Sequence, residues 1–202
     1  MPPEKQRRLT PAGKRVLDTA SELFYREGLH AIGVEGIAQA AGVTKKTLYD
    51  CFGSKDDLIA AYLRNRDERW RSWLTGFVDR QGGAPSEKLL STFDALAQWQ
   101  QKENARGCAF VNALAELPDT ANPGRAVIAE QKTWMLEYLT ALASEASLPA
   151  PATVARRLFL LQEGALAAHG TGVPGDAMEF AKSTAAALVD TAHRIPDSGE
   201  GR

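Results

Sequence analysis

Thr44, Lys45, Lys46, Thr47 and Tyr49 crowd into six residues, and Lys55 follows six positions later. Short hydroxyls, paired lysines and a phenol are the side chains that contact phosphate oxygens and the edges of bases in a major groove. The two lysines open a helix, where the positive end of the helix dipole disfavours them. A phosphate at that point relieves the conflict and accepts the free backbone N–H groups. Lys55 repeats the arrangement at the start of the next helix, so two lysine-bearing helix starts make a two-point clamp for a phosphate backbone.

The elements that must hold these residues follow from the same stretch, GVEGIAQAAGVTKKTLYDCFGSKDDL, residues 33–58. Apolar spacing predicts a short helix over Val34–Ala41 and another over Lys45–Phe52. Gly42 permits the tight turn between them, Thr44 is the N-cap, and Gly53 is the stop. Ile37, Ala38, Ala41, Val43, Leu48 and Phe52 pack the pair on a preceding helix, which Thr10-Pro11 opens and Gly28 ends. Ser54 with Asp57 reads as a capping box for a long helix.

Helices are further expected at about 86–103, 108–117, 122–147, 151–170 and 175–193, separated by Gly- and Pro-containing breaks. About nine helices and no period-two stretch predict an all-α protein. The polar, glycine-containing tail from Pro196 reads as frayed.

Composition narrows the function. The chain has 202 residues, 44% hydrophobic and 24% charged, which suits a soluble globular protein with a real core. No apolar run is long enough to span a membrane, and the charged N-terminus leads into no secretory h-region. Residues 1–80 carry 14 basic and 11 acidic groups, a net +3, whereas residues 81–202 carry 10 and 14, a net −4. Five basic groups (Lys5, Arg7, Arg8, Lys14, Arg15) against Glu4 make a basic front suited to a polyanion.

Cys51 and Cys108 cannot build a disulfide framework or a four-ligand zinc site, so a reduced cytoplasmic protein is expected. The sequence holds no GxSxG, HExxH, CxxC, Walker or Rossmann motif, and no paired Glu-x-x-His. Its histidines, His30, His169 and His193, are widely spaced. An enzyme is not expected, and nothing calls for a cofactor or a metal.

The order helix, Gly33-Val34 to Gly42-Val43, Thr44-Lys45 to Phe52, Ser54-Lys55 to Leu58 resembles the TetR family of one-component repressors over about residues 11–60. The resemblance implies a dimeric regulator that is released from a near-palindromic double-stranded DNA operator by a small-molecule effector. It divides the chain into a three-helix helix-turn-helix domain at 1–53 and a ligand and dimerisation bundle at 54–202, with 54–80 as linking helix. It places Thr44, Lys45, Thr47, Tyr49 and Lys55 at DNA. Lys46 stands where the family often has a small residue, and adds a base or phosphate contact. Cys51 stands where histidine or tyrosine is common, and is expected to pack.

Family architecture also puts Trp99, Phe110, Trp134, Tyr138 and Phe159 on helices around a ligand cavity. Asn112, Gln162, Glu163 and His169 are polar groups embedded in apolar helices, and buried polar groups need partners. The ligand-site candidates are the five aromatics with Asn112, Gln162 and Glu163. They imply an uncharged or weakly polar, partly aromatic or aliphatic effector, with a cation as second choice if Glu163 is buried and unpaired.

The last two helices are rich in small residues (Gly164, Ala165, Ala167, Ala168, Ala181, Ala185–187), with Leu158, Leu161, Leu188 and Val189 between. Such helices approach closely and suit a four-helix dimer interface. Two alternatives stay open at this point: a DNA-binding regulator without a small-molecule ligand, and one switched through Cys51 or Cys108.

Overall fold

Thr10 and Pro11 start the first helix as their types require. The Thr10 hydroxyl accepts the Gly13 N–H at 3.1 Å, and Pro11 occupies a position whose N–H would have no partner in a helix. The computed structural model describes residues 9–103 and 106–194, and among them it contains nine helices and no strand. They are α1 (Pro11–Glu27), α2 (Val34–Ala40), α3 (Lys45–Phe52), α4 (Lys55–Gln81), α5 (Pro85–Glu103), α6 (Ala109–Glu116), α7 (Pro123–Glu145), α8 (Pro151–Thr171) and α9 (Ala177–Arg194). Every expected helix is present. Lys5, Arg7 and Arg8 of the basic front, and the tail from Pro196, lie outside the described residues.

The cap of α4 differs in detail from a capping box. The Ser54 hydroxyl accepts the Asp57 N–H at 3.0 Å and donates to the Asp57 carboxylate at 2.6 Å, while the Ser54 N–H goes to the carbonyl of Phe52. Asp57 thus orients the capping hydroxyl, where the glutamate of a capping box bonds the cap residue's own N–H.

The chain folds as two compact units that do not follow its order. The first comprises residues up to Arg66 and Ala109–Ile128, and the second comprises Asp67–Cys108 with the chain from Ala129. The division by packing therefore differs from the boundary expected after residue 53. The start of α4 buries Leu58, Ile59, Tyr62 and Leu63 in the first unit, where Phe24 and Tyr62 have ring centroids 5.8 Å apart.

α6 joins the first unit through Glu116, whose carboxylate accepts the N–H groups of Leu29 (2.7 Å) and His30 (3.2 Å). The His30 ring in turn bonds the Glu116 carbonyl at 2.7 Å. Gly28 makes this approach possible. Its φ is +105°, and a Cβ there would stand 3.2 Å from both Glu116 carboxylate oxygens.

In the second unit, α4 contributes Trp70, Leu74 and Phe77 to a core completed by Phe93 and Leu96 of α5, Met135 and Leu139 of α7, Leu158 of α8 and Val189 of α9. α9 packs on both α5 and α8. The small residues of the last two helices divide between two surroundings: Ala165, Ala181 and Ala185 are buried within the chain, whereas Gly164, Ala167 and Ala187 are exposed. Leu160 and Phe180 stand out beside them at 67% and 59% exposure.

Candidate nucleic-acid interface

α3 is eight residues long and is anchored by one fully buried side chain, Leu48. Burying that leucine is worth roughly 1.5–3 kcal/mol, and it fixes which face of the helix looks outward. That face carries Thr44, Lys45, Lys46, Tyr49 and Asp50, all exposed, with Thr47 half-buried at its edge. The Thr44 hydroxyl accepts the Thr47 N–H at 3.1 Å and lies 2.9 Å from the Thr47 hydroxyl, so the cap also aligns both threonines. Lys55, at the start of α4, is half-buried. Five of the six expected DNA contacts thus share one short stretch, and the sixth follows across Gly53 and Ser54.

Both α3 lysines have acidic partners that the sequence reading did not include. Lys45 forms an ion pair with Glu35 of α2, and Lys46 pairs with Asp50 one turn along at 2.6 Å. The Lys45 hydrogen bond holds the Glu35 carboxyl below its ordinary range, and the Glu35 hydrogen bond holds the Lys45 ammonium above its own. The conflict between lysines and helix dipole is therefore already relieved within the chain. Lys46–Asp50 was readable as an i, i+4 pair, whereas nothing local marks Glu35 as the partner of Lys45. The Lys45 ammonium also stands 6.0 Å from the centre of the Tyr49 ring.

Cys51 is half-buried with its Sγ 3.8 Å from the Thr10 hydroxyl, so it packs against the start of α1. Cys108 is half-buried in the second unit, 3.9 Å from the Lys132 ammonium.

The eight ligand-site candidates occupy different settings. Phe110 (buried) and Asn112 (half-buried) belong to the first unit, and the other six to the second. Trp99 is buried in an aromatic cluster, with its ring centroid 5.5 Å from Trp70 and 6.1 Å from Trp73. Trp134 and Tyr138 are half-buried and stacked at 5.2 Å, with the Arg71 guanidinium 4.7 Å from the Trp134 ring. Phe159 is half-buried against the core.

Gln162 is buried and donates to the Thr92 hydroxyl at 2.9 Å. Glu163 accepts from Lys132 with both oxygens, at 2.7 and 2.8 Å. That pairing corrects the second choice of effector: Glu163 is not an unpaired acid, so the basis for a cationic ligand falls away. His169 is exposed. A surface recess of about 450 Å³ between α7 and α8, whose walls include Leu136, Thr140 and Arg156, contains none of the eight.

A short capped helix held over a buried leucine, packed with two others and turning its polar face outward, is the reading unit of a helix-turn-helix protein. Residues 16–62 match the family described as bacterial regulatory proteins, tetR family. The chain is 31% identical to SCO4454, a TetR-family transcriptional regulator from Streptomyces coelicolor. The alignment with that crystal structure covers 90% of this chain and 95% of that one, with a TM-score of 0.82. It is 23% identical over 182 residues to the HTH-type transcriptional regulator YjdC of Escherichia coli K12, covering 90% of each. Over 88 residues it is 35% identical to the HTH-type transcriptional repressor KstR2 of Rhodococcus jostii, 43% of this chain and 38% of that protein. The chain belongs to the TetR family of bacterial transcriptional regulators. It is a DNA-binding regulator of transcription and not an enzyme.

Proposed function

We propose that the protein is a homodimeric repressor that binds a near-palindromic operator through Thr44, Lys45, Lys46, Thr47, Tyr49 and Lys55, and is released by a small molecule. One observation carries the DNA contacts: the outward face of α3 is polar, exposed and braced from below by Leu48. Two-fold symmetry then demands half-sites about 34–36 Å apart, or a multiple of that. Repression is the sign that the resemblance to one-component repressors favours, and the similar KstR2 is itself a repressor. The proposed location is the cytoplasm, where a bacterial DNA-binding regulator meets its operator.

The dimer reading rests on α8 and α9, where Leu160 and Phe180 stand exposed among Gly164, Ala167 and Ala187. Large apolar side chains beside small ones form a surface that a second copy covers well. The domain of residues 1–53, with Lys55 at the start of the linking helix 54–80, then reads DNA, and the chain beyond binds effector and partner. Within the second unit, Trp99, Trp134, Tyr138, Phe159, Gln162 and Glu163 remain the proposed surroundings of the effector. Sequencing the DNA selected by the purified protein from a random pool tests the central claim. A two-fold related motif is expected, and a pool without enrichment overturns it.

A further inference from the structure

The second unit contains five buried polar atoms with no partner among the described residues: Asp67 Oδ1, Arg71 Nε, both amide atoms of Gln100, and Gln131 Oε1. Asp67 is 7% exposed, Gln100 2% and Gln131 4%. An unpaired buried donor or acceptor is a net loss to the fold, and native interiors hold few of them. Five together need an explanation.

Their neighbours put them at one level of the bundle. Arg71 of α4 stands over Trp134 of α7, and further along α4 the charge of Asp79 acts on Tyr138, further along α7. Asp67 and Gln131 each lie one turn before that contact in their own helices. On α5, Glu103 binds Arg69 at 2.7 Å and Trp99 packs on Trp70, which sets Gln100 beside the same turn of α4. Three helices thus contribute orphaned polar atoms to one layer, against indole rings.

The chemistry of the layer selects its occupant. Asp67 is matched by Arg71 at 2.5 Å, so the layer carries no net charge, and a charged guest would be buried without a counter-ion. Three orphaned acceptors and two orphaned donors ask for a guest that both donates and accepts. The two orphaned ends of the Gln100 amide are complemented by an N–H and a C=O on neighbouring atoms. We propose that this layer is the polar recognition element of the effector site. The effector is an uncharged compound bearing a carboxamide or lactam on a flat apolar body. This inference rests on the small-molecule reading above and names the class of that molecule.

The test uses the full-length protein with benzamide as probe, and benzoate and benzylamine as its anionic and cationic counterparts. Benzamide should raise the melting temperature in a concentration-dependent way, with a Kd on the order of 1 mM for so small a fragment, and the charged analogues should not. Gln100→Met and Gln131→Met should each weaken benzamide by about tenfold, the worth of a buried hydrogen bond, while melting no lower than wild type without ligand. The proposal is overturned by no benzamide shift, by equal shifts from the charged analogues, by unchanged benzamide affinity in both variants, or by ligand-free melting several degrees lower in both. Benzamide binding that leaves affinity for the selected operator untouched overturns the layer as an effector site. A failure to select any operator overturns the DNA-binding reading instead and leaves the benzamide titration standing.

Discussion

Polar side chains are handled in opposite ways on α3 and in the bundle of the second unit. On α3 the charged groups are exposed and already paired, Lys45 with Glu35 and Lys46 with Asp50. Exposed pairs of this kind are worth about 0–1 kcal/mol, so a phosphate can replace the carboxylate at little loss. In the second unit Asp67, Gln100 and Gln131 are buried and leave atoms unmatched. There the unsatisfied groups are met by something that enters. One surface is ready to exchange partners, and one interior is short of them.

The following variants sharpen or break that contrast. The largest effect is expected at Leu48→Ala, which removes the side chain that holds the α3 face outward. A loss of about 2–5 kcal/mol in urea unfolding, with loss of operator binding, is the expected outcome. Unaltered operator affinity would show that the face does not depend on its anchor.

Trp134→Ala takes away the ring between Arg71 and Tyr138. It should destabilise by about 1–3 kcal/mol and weaken the response to effector, while operator affinity stays within about twofold. A normal effector response would move the site away from α7.

Lys55→Ala should weaken DNA evenly across sequences and flatten the log–log salt dependence by about 0.9 for one lost phosphate contact. An unchanged slope in a fluorescence titration removes Lys55 from the interface. Lys46→Ala separates base from phosphate contact, since a shift in operator preference means the former and a uniform loss the latter.

Glu35→Gln frees Lys45 from its competitor. Operator affinity should rise by a few-fold at low salt, with stability changed by less than about 1 kcal/mol. Weaker DNA binding would mean that Glu35 positions Lys45 rather than competing for it.

The smallest effect concerns Tyr138, whose hydroxyl is pushed up to about 12 by burial, with Asp79 and Glu145 adding to the shift. An unfolded phenol titrates near 10, so the stability contributed by Tyr138 is complete below about pH 10 and is lost as pH rises toward 12. Tyr138→Phe should remove that slope, as followed by unfolding at several alkaline pH values.

The helices were legible because their ends carry local signals: Thr10-Pro11, Thr44, Ser54, and glycines at positions 28 and 53. The α3 face was legible for the same reason, since an eight-residue helix with one buried leucine has little freedom. The partner of Lys45 was not, because Glu35 comes from another helix and no spacing links the two. Gln100 and Gln131 carried a faint signal, each falling on the apolar side of its helix (Leu96 before Gln100, Ile128 before Gln131). Whether a buried amide finds a partner depends on packing between helices, which periodicity does not encode. The Ala-rich stripe of α8 and α9 gave composition without direction, so the exposed Leu160 and Phe180 escaped it.

The bond from Glu116 back to Leu29 has a consequence for how the protein is made. The helix-turn-helix segment leaves the ribosome before α6, yet the carboxylate that holds the turn after α1 is 87 residues further on. Until that part of the chain is synthesised, the N–H groups of Leu29 and His30 have only water to bond, and the first unit lacks α6. The DNA-reading segment is therefore no detachable cassette. Grafted elsewhere without α6, it would carry a loosened turn between its first two helices.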